Sequence, residues 1–298
     1  MNPQNTINSA ILSLEKRLLP DGGFAETLKG AYRTDATAWA VIALNATGIH
    51  EGAVVATARE RLAASQQKDG RIAVAPECPV AFWPTPLAIL AWQGSKAHES
   101  AQFHAIDFLL KTTGKETKKS VGSPVADDTT LKGWPWIENT SSWVEPTALA
   151  LLALRSGGHG AHPRVTEAVN LFMDRQLPHG GWNYGNRIVY GQELYPQPAN
   201  TGIALAALAG LVQRSEIHRS LEYAQKQAQQ CRSAFSLSWV VLGLSAWHEK
   251  PDQAQSWIIE SLGLQERYGH YNTSLLSLLI TSFFVDGDIS RCIQDGAK

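Results

Sequence analysis

Two carboxylates occupy the same place in a repeated sequence pattern. Asp35 and Glu145 each lie two residues before a recurring threonine that opens a run of small and apolar residues. The positive end of a helix dipole stabilises an acidic residue in its ionised form. Burial among apolar groups acts in the opposite direction, because it raises the pKa of a carboxyl and keeps the group protonated. The two residues therefore predict either helix-terminal charges or a pair of acids at the mouth of a cavity.

Aromatic residues form a second candidate group around turns and at the starts of apolar segments. They are Trp83, Trp134, Trp136, Trp143, Trp182, Tyr184, Trp239 and Tyr271. Aromatic faces attract cations, so such a group would suit a reaction that passes through a carbocation. Packing between repeats would account for the same residues without any ligand. The segment 183–199 adds Glu193 to Tyr184, and its aromatic content predicts contact with a ligand or a neighbouring wall.

A second acidic pair, Asp127 and Asp128, lies in the polar segment 113–132. The segment is rich in Lys, Thr, Ser and Asp, which is typical of a long surface loop. Two interpretations stay open at this point. The pair is either a solvated acidic patch or a pair of acids that reaches the cavity when the loop folds over it.

Repeats predict the fold. The threonine and its small, apolar run recur at residues 37–44, 85–92, 147–154 and 201–208. Amphipathic helices with a charged face are predicted at 6–18, 54–65, 99–111, 165–175, 217–229 and 252–262. Helices that are apolar on nearly every side, and are therefore buried, are predicted at 35–46, 84–92, 146–155, 200–212, 235–247 and 272–284. Six outer and six inner helices in alternation predict an all-α (α/α)6 toroid, a single domain over residues 1–298.

Composition limits the class of protein. The chain has 298 residues, 44% of them hydrophobic, and a net charge of −1 without a basic stripe, which argues against nucleic-acid binding. Three widely spaced cysteines, Cys78, Cys231 and Cys292, suit a reducing compartment. The first residues carry no signal-peptide pattern, and the apolar run 275–285 is too short to span a bilayer. We therefore expect a cytoplasmic protein that allows peripheral membrane contact, while the sequence leaves its oligomeric state open.

One turn resembles the QW motif of squalene–hopene and oxidosqualene cyclases, which is Gln, a short spacer, Gly, any residue and Trp. The turn runs from Gln176 through Gly180 to Trp182, and 18–24 and 66–72 are degenerate copies. Through its repeats nearly the whole chain is similar to this superfamily, which includes the toroidal β-subunits of protein prenyltransferases. The resemblance implies an enzyme that acts on an isoprenoid in a central apolar cavity by protonation-initiated cyclisation.

The resemblance also implies roles for particular residues. Segment 143–149 occupies the place of the cyclase Asp-x-Asp-Asp-Thr-Ala signature, in which the middle Asp donates the proton. Glu145 falls on the donor position and is the principal candidate acid. Trp143 and Pro146 replace the two neighbouring Asp residues. The segment around Asp127 and Asp128 keeps two of the three Asp residues, but no apolar helix follows it.

Metal chemistry is not expected. The zinc site of the prenyltransferases needs an Asp-x-Cys motif, and this chain has only Cys231, His270 and Asp35 at scattered helix starts. Zinc binding depends on proper ligand spacing, so we expect no zinc ion. A Mg²⁺ ion would enter only if the substrate carries a diphosphate, with Arg33 and Arg187 as the cations nearest the mouth.

Three functions therefore stay open. The first is an isoprenoid cyclase or transferase, with Glu145, Asp35, Asp127 and Asp128 as candidate acids. The second is a carbohydrate-active toroid in which Asp35 and Glu145 act as a pair. The third is a non-catalytic toroid that binds a lipid or a protein partner. The candidate substrate contacts are Trp83, Trp136, Trp143, Trp182, Tyr184, Glu193, Trp239, His270 and Tyr271.

Overall fold

Outer and inner helices alternate along the chain, as the two kinds of hydrophobic pattern predict. The computed structural model describes residues 3–48, 52–117 and 123–290. The outer helices are α1 (Pro3–Glu15), α3 (Ala53–Ala64), α5 (Glu99–Lys111), α7 (Pro163–Arg175), α9 (Arg214–Gln230) and α11 (Ala254–Gly263). The inner helices are α2 (Thr34–Ala46), α4 (Pro84–Trp92), α6 (Val144–Ser156), α8 (Pro198–Leu208), α10 (Ala234–Ala246) and α13 (Thr273–Phe284). Every residue of α4 is buried, whereas α9 buries only one face.

Short elements complete the described part of the chain. A 3-10 helix spans Lys96–His98, and the short helix α12 spans Gln265–Tyr268. Strands β1 (Ile188–Val189) and β2 (Gln192–Glu193) form an antiparallel hairpin in the connection between α7 and α8. Helix α8 ends four residues earlier than predicted, because Gly210 adopts a left-handed conformation with φ of 75°.

The inner helices form a closed ring. Each inner helix packs against the next one in the chain, and α13 packs against α2. The buried hydrophobic side chains form one cluster that extends from Ile7 to Ile289. This arrangement confirms the predicted all-α toroid. The prediction that residues 1–298 form a single domain stays a prediction, since both chain ends lie outside the described residues.

The recurring threonine has a structural role that explains its repetition. In four repeats its hydroxyl accepts a hydrogen bond from a backbone N–H of the preceding turn. The pairs are Phe24 with Thr37 (2.8 Å), Ile72 with Thr85 (2.9 Å), Trp134 with Thr147 (2.9 Å) and Trp182 with Thr201 (3.1 Å). Buried backbone donors need such partners. The bond therefore fixes each turn to the start of the inner helix that follows it.

Helices α8 and α10 approach each other most closely at two glycines. A Cβ atom added to Gly202 would lie 2.3 Å from the backbone carbonyl carbon of Trp239, and one added to Gly243 would lie 2.4 Å from the carbonyl oxygen of Gly202. No larger residue fits at such a distance without moving a backbone. This contact sets the spacing of one side of the ring.

The two ends of the ring differ. At the end where the inner helices begin, which we call the mouth face, the chain crosses from outer to inner helices mostly by long connections. At the opposite end, the base, Arg155 pairs with Asp288 and donates hydrogen bonds of 3.2 Å to the carbonyls of Ala206 and Ala207. No helix of the described ranges is both long and apolar enough to cross a membrane.

Candidate functional site

A cavity of about 490 Å³ lies at the mouth face, among the first turns of the inner helices. Its lining combines carboxylates, one arginine and aromatic rings. The lining residues are Glu26, Arg33, Asp35, Trp39, Trp83, Trp136, Glu145, Phe235, Asn272, Ser274, Leu275 and Leu278. Small-molecule sites of proteins commonly have about 300–1,000 Å³ and a mostly apolar wall with a few polar groups. The volume and the lining both match such a site.

Two larger cavities each have an ion pair in their lining that holds local structure. One of about 620 Å³ lies beside α5, where Arg71 binds both Asp69 and Glu138. The other, of about 560 Å³, lies at the base around the ion pair of Arg155 and Asp288. Because these groups hold local structure, the smaller cavity at the mouth face is the candidate site.

Of the titratable groups in this cavity, Glu145 has the fewest hydrogen-bond and ion-pair partners among the described residues. It lies in the first turn of α6 and is half-buried. Among the described residues, none pairs with its carboxyl or donates a hydrogen bond to it. Desolvation alone raises the pKa of Glu145 to about 7, although the N-terminal position in α6 would favour the ionised form. A pKa near neutrality lets Glu145 hold a proton at neutral pH and release it to a substrate.

Asp35 lies at the equivalent position of α2, but its surroundings differ. Arg33 donates two hydrogen bonds to it, from Nε to Oδ1 at 2.9 Å and from Nη2 to Oδ2 at 2.8 Å. Asp35 is buried, and its bonds to Arg33 raise the pKa of that guanidinium. Both oxygens of Asp35 are engaged, so this residue forms an ion pair in the wall of the cavity.

Glu26 is a third carboxylate of the cavity, and the sequence did not single it out. The Oγ atom of Ser274 donates a hydrogen bond of 3.2 Å to its Oε2 atom. Burial and the charge of Asp35 raise the pKa of Glu26, while Arg33, Ser274 and Arg17 lower it. The residue lies in the connection before α2, which has no helical periodicity that could have placed it in the cavity.

Aromatic rings form much of the remaining wall. Trp83 and Trp136 meet edge to face, with ring centroids 5.8 Å apart. Trp39 lines the cavity and packs edge to face on Trp239, also with centroids 5.8 Å apart. Trp239 itself is buried behind Trp39 and is not among the described lining residues. The predicted contact at Trp239 is therefore indirect.

Trp182 lies in the core, away from the cavity. Its indole Nε1 donates a hydrogen bond of 2.8 Å to the carbonyl of Phe172, and its ring packs edge to face on Phe172. A buried indole needs an acceptor for this N–H, and the end of the outer helix supplies one. In the QW-like turn, Trp182 is therefore a packing residue, and its predicted role as a substrate contact is wrong.

Trp143, Tyr184 and Glu193 also lie outside the lining of the cavity. The Trp143 ring packs against Gly185, where an added Cβ would lie 2.9 Å from the ring, and it lines a separate cavity of about 130 Å³. Tyr184 is 58% exposed, and Glu193 is exposed on β2. In the long connection between α7 and α8, strands β1 and β2 pair with each other. Tyr184 and Glu193 of this connection therefore face solvent and do not line the cavity.

The predicted substrate contacts His270 and Tyr271 lie outside the lining of the cavity. His270 is exposed. The Tyr271 hydroxyl donates a hydrogen bond of 2.9 Å to the carbonyl of Ser261, and the Tyr271 carbonyl accepts one of 2.8 Å from Arg17. Tyr271 thus anchors the start of α13 to neighbouring outer elements, and neither residue is among the described lining of the cavity.

Asp127 and Asp128 stabilise the polar loop and do not line the cavity. Asp127 is fully buried and accepts hydrogen bonds from Arg187, from the backbone N–H at 2.8 Å and from Nε at 2.7 Å. Asp128 is exposed and accepts hydrogen bonds from the backbone and hydroxyl of Thr130. Their positions correct the hypothesis that either acid reaches the cavity.

Four predicted residues do line the cavity: Asp35, Glu145, Trp83 and Trp136. The scattered ligands of the prenyltransferase zinc site do not assemble, since Cys231 is half-buried at the end of α9 and Asp35 is bound to Arg33. Across the described residues, no three His, Cys, Asp or Glu side chains form a group that could hold a metal ion.

The fold is similar to solved structures of terpene cyclases. The type II terpene cyclase MstE from Scytonema, in its apo form, matches with a TM-score of 0.61 and 14% identity, covering 97% of this chain and 98% of that chain. A variant of MstE in complex with its product, merosterolic acid A, matches with a TM-score of 0.58 and 16% identity over 97% of both chains. A protein from Actinoplanes matches with a TM-score of 0.61 and 14% identity over 100% of both chains.

These likenesses concern the fold, because the identities are low. No protein-family model and no curated protein matches the chain. The function must therefore be inferred from the chemistry of the cavity.

Proposed function

We propose that this protein is an enzyme that cyclises an isoprenoid, with Glu145 as the acid that starts the reaction. The observation that carries the proposal is the unpaired carboxyl of Glu145, whose pKa is raised to about 7 inside an aromatic cavity. A general acid works best when its pKa lies near the operating pH. The fold likeness to MstE, whose structures include its substrate geranylgeranyl dihydroxybenzoate, is consistent with an isoprenoid ligand.

The cavity offers each group that such a reaction needs. The proton passes from Glu145 to a carbon–carbon double bond of the substrate, and the electron pair of that bond forms the new C–H bond. The faces of Trp39, Trp83 and Trp136 can attract the resulting carbocation. The N–H groups at the start of α6 can stabilise the carboxylate that Glu145 leaves behind. A bound hydrocarbon would displace water from the cavity, and that water would otherwise trap the cation.

The carbohydrate hypothesis requires Asp35 and Glu145 to act as a pair. Both oxygens of Asp35 accept hydrogen bonds from Arg33, so a second role as base or nucleophile would require this ion pair to break. The apolar side chains of Leu275 and Leu278 on the cavity wall favour a hydrocarbon ligand instead. We therefore place the carbohydrate function behind the isoprenoid one.

The proposed first step is a proton transfer between a carboxyl and a carbon, and this step needs no metal ion. We propose that the enzyme works without zinc and that Mg²⁺ matters only for a diphosphate substrate. Activity toward a neutral isoprenoid should therefore survive dialysis against EDTA. Loss of activity on chelation, restored by a metal ion, would contradict this part of the proposal.

The mouth face suits contact with a lipid surface. Seven large, exposed apolar side chains lie on connections at this end of the ring: Leu28, Val80, Ile137, Tyr184, Tyr190, Tyr195 and Tyr268. Tyrosine rings favour the boundary between water and lipid, because one end is apolar and the other is polar. We propose that this face contacts a membrane peripherally, which would let an isoprenoid enter the cavity without crossing water.

The test is a comparison of the protein with its Glu145→Gln variant on squalene, geranylgeraniol and geranylgeranyl dihydroxybenzoate. Mass spectrometry after chromatography should find cyclised products with unchanged mass. The variant should lose at least about a hundredfold in rate, as expected for removal of a general acid. Exposed Glu193 provides the matched control, and Glu193→Gln should keep full activity.

Two outcomes would refute the proposal. Full activity of Glu145→Gln would remove this residue from the reaction. If the unmodified protein binds these isoprenoids but forms no product, a lipid-binding function would replace the enzymatic one.

A further inference from the structure

Two carboxyl groups of the cavity have opposite surroundings. Glu145 has no hydrogen-bond donor and no cation beside it within the described chain. Glu26 accepts a hydrogen bond from Ser274 and has the charges of Arg33 and Arg17 nearby. Burial raises the pKa of both carboxyls, but only Glu26 has a hydrogen-bond donor and cations nearby that favour its ionised form. Glu145 is suited to donate a proton, and Glu26 is suited to accept one.

We propose that Glu26 is a catalytic residue that accepts the proton released at the end of the reaction, so that the product is an alkene isomer of the substrate. This inference rests on the proposed cyclase function and adds the step that ends it.

The step balances without another reactant. Glu145 gives its proton to a double bond and becomes a carboxylate, while the substrate becomes a carbocation that closes one or more rings. A C–H bond next to the final cation then breaks, its electron pair forms a new double bond, and the proton binds Glu26. Glu26 afterwards releases the proton to water, and Glu145 takes one up. The substrate and the product have the same formula.

Asp35 is less suited to this role than Glu26. The hydrogen bonds from Arg33 occupy both oxygens of Asp35. Glu26 has its hydrogen bond from Ser274 on Oε2, and no described donor lies within hydrogen-bonding distance of its Oε1 atom. Burial and Asp35 also raise the pKa of Glu26, which makes this carboxylate a stronger base than a solvated one. One of its oxygens is thus free to meet a substrate proton.

The backbone of Glu26 is fixed where the ring closes. Its carbonyl accepts hydrogen bonds from the N–H of Thr273 at 2.8 Å and from the Thr273 hydroxyl at 3.0 Å. Arg17 in turn donates a hydrogen bond of 3.1 Å to that hydroxyl. Glu26 therefore has a defined position between the first and the last inner helix, as a catalytic carboxylate requires.

Product composition is the first test. The unmodified protein should form alkenes of the same mass as the substrate. In Glu26→Gln the cation should persist until water captures it, so the product should contain an alcohol that is heavier by one water molecule. Glu26→Asp keeps a carboxylate but withdraws it by one methylene group, and should shift the product in the same direction by a smaller amount. An unchanged ratio of alkene to alcohol in an active Glu26→Gln variant would overturn the proposal.

Binding of a cation mimic tests the proposal without turnover. N,N-dimethyldodecylamine is protonated at about pH 6 and resembles a carbocation with an alkyl chain, and dodecanol is its neutral control. The unmodified protein should bind the amine more tightly than the alcohol. Glu26→Gln should reduce this preference about tenfold, which corresponds to about 1.4 kcal/mol. Exposed Glu193 again provides the control, and Glu193→Gln should leave the preference unchanged.

The two tests separate this proposal from the proposed function. If no isoprenoid is cyclised but the preference for the amine depends on Glu26, the proposed cyclase function is wrong. The claim that the Glu26 carboxylate stabilises a cation in the cavity is then still supported. If the amine preference is absent, or survives in a folded Glu26→Gln variant, the assignment of Glu26 is wrong. Should Glu26→Gln fail to fold, Glu26→Ala decides, because it also removes the carboxylate, and an unchanged amine preference in that variant would count against the assignment.

Discussion

Replacement of Glu145 by glutamine should stabilise the protein at alkaline pH. The pKa of Glu145 is raised from 4.5 to about 7 by burial, so the folded protein holds this proton more tightly than the unfolded chain does. Above pH 4.5 the unfolded chain releases the proton first, and the free energy of unfolding therefore falls as the pH rises. Once the pH exceeds about 7, the folded state has also lost the proton and the full penalty is present.

The size of this penalty follows from the two pKa values. Their difference is about 2.5, and each pKa unit corresponds to about 1.4 kcal/mol, which gives about 3.5 kcal/mol. Glu145 is only half-buried, and water in the cavity will screen part of its charge. We therefore expect Glu145→Gln to raise the free energy of unfolding by about 2 kcal/mol at pH 8. For a chain of this length that is a rise in Tm of roughly 3 °C.

Urea unfolding at about pH 4 and about pH 8 measures the effect. At the lower pH the two proteins should be nearly equally stable, because the carboxyl is then mostly protonated in both the folded and the unfolded chain, and glutamine resembles the protonated form. At the higher pH the variant should be the more stable protein. Glu193→Gln, which changes an exposed glutamate on β2, should show no such dependence on pH. A variant that is equally or less stable at pH 8 would mean that Glu145 is ionised and well solvated, and the acid role would lose its physical basis.

Three further predictions concern the cavity wall, the ring and the mouth face. Asp35→Asn should reduce the free energy of unfolding by about 2 kcal/mol in urea unfolding, because Arg33 loses its partner beside the cavity; an unchanged stability would contradict the structural role of this pair. Gly202→Ala should lose about 3 kcal/mol in the same assay, since its Cβ would lie 2.3 Å from a backbone atom of α10, and unchanged stability would mean that α8 and α10 are further apart. Replacing Tyr190 and Tyr195, which are 81% and 84% exposed, by serine should weaken sedimentation with phosphatidylcholine vesicles without changing the Tm; equal sedimentation would argue against membrane contact by this face.

The ring could be predicted from the sequence because two signals agree in most repeats. The apolar segments are too uniform to lie on a surface, and the threonine at their start recurs with a fixed partner in the preceding turn. Repeats five and six lack the regular stripe of small residues. There the ring is completed by contacts that are specific to this chain, such as the approach of Gly243 to Gly202 and the hydrogen bond from Arg17 to Thr273. Such long-range contacts leave no periodic trace in the sequence.

Three of the four predicted residues in the cavity wall lie at the start of an inner helix. Asp35, Glu145 and Trp83 line the cavity because the helix fixes the position of a residue at its start, whereas Trp136 lies in the connection before α6. Glu26 was missed, because its place depends on hydrogen bonds to Thr273, which is 247 residues away in the chain. No local pattern reports such a contact.

Aromatic residues show the opposite error, because a position beside a repeat turn does not by itself place a ring in the cavity. Trp134 and Trp182 follow glycines in such turns, but their indole N–H groups must find acceptors when buried. They find them in the carbonyls of Leu109 and Phe172 on the outer helices, which turns both rings away from the cavity. Trp39 does line the cavity. It lies in a helix that is apolar on nearly every side, so the sequence pattern does not indicate which face of the helix points to the cavity.

Asp35 and Glu145 have equivalent positions in the repeat but different chemistry, and the residue before each helix accounts for the difference. Arg33 precedes α2 and Trp143 precedes α6, both with an extended backbone. The guanidinium of Arg33 reaches Asp35 and holds it as an ion pair. Trp143 carries no charge that could pair with Glu145, and the Trp143 ring packs against Gly185 in the connection between α7 and α8. A single difference at the helix boundary thus leaves one carboxylate paired and the other unpaired, with the pKa of about 7 on which the acid role depends.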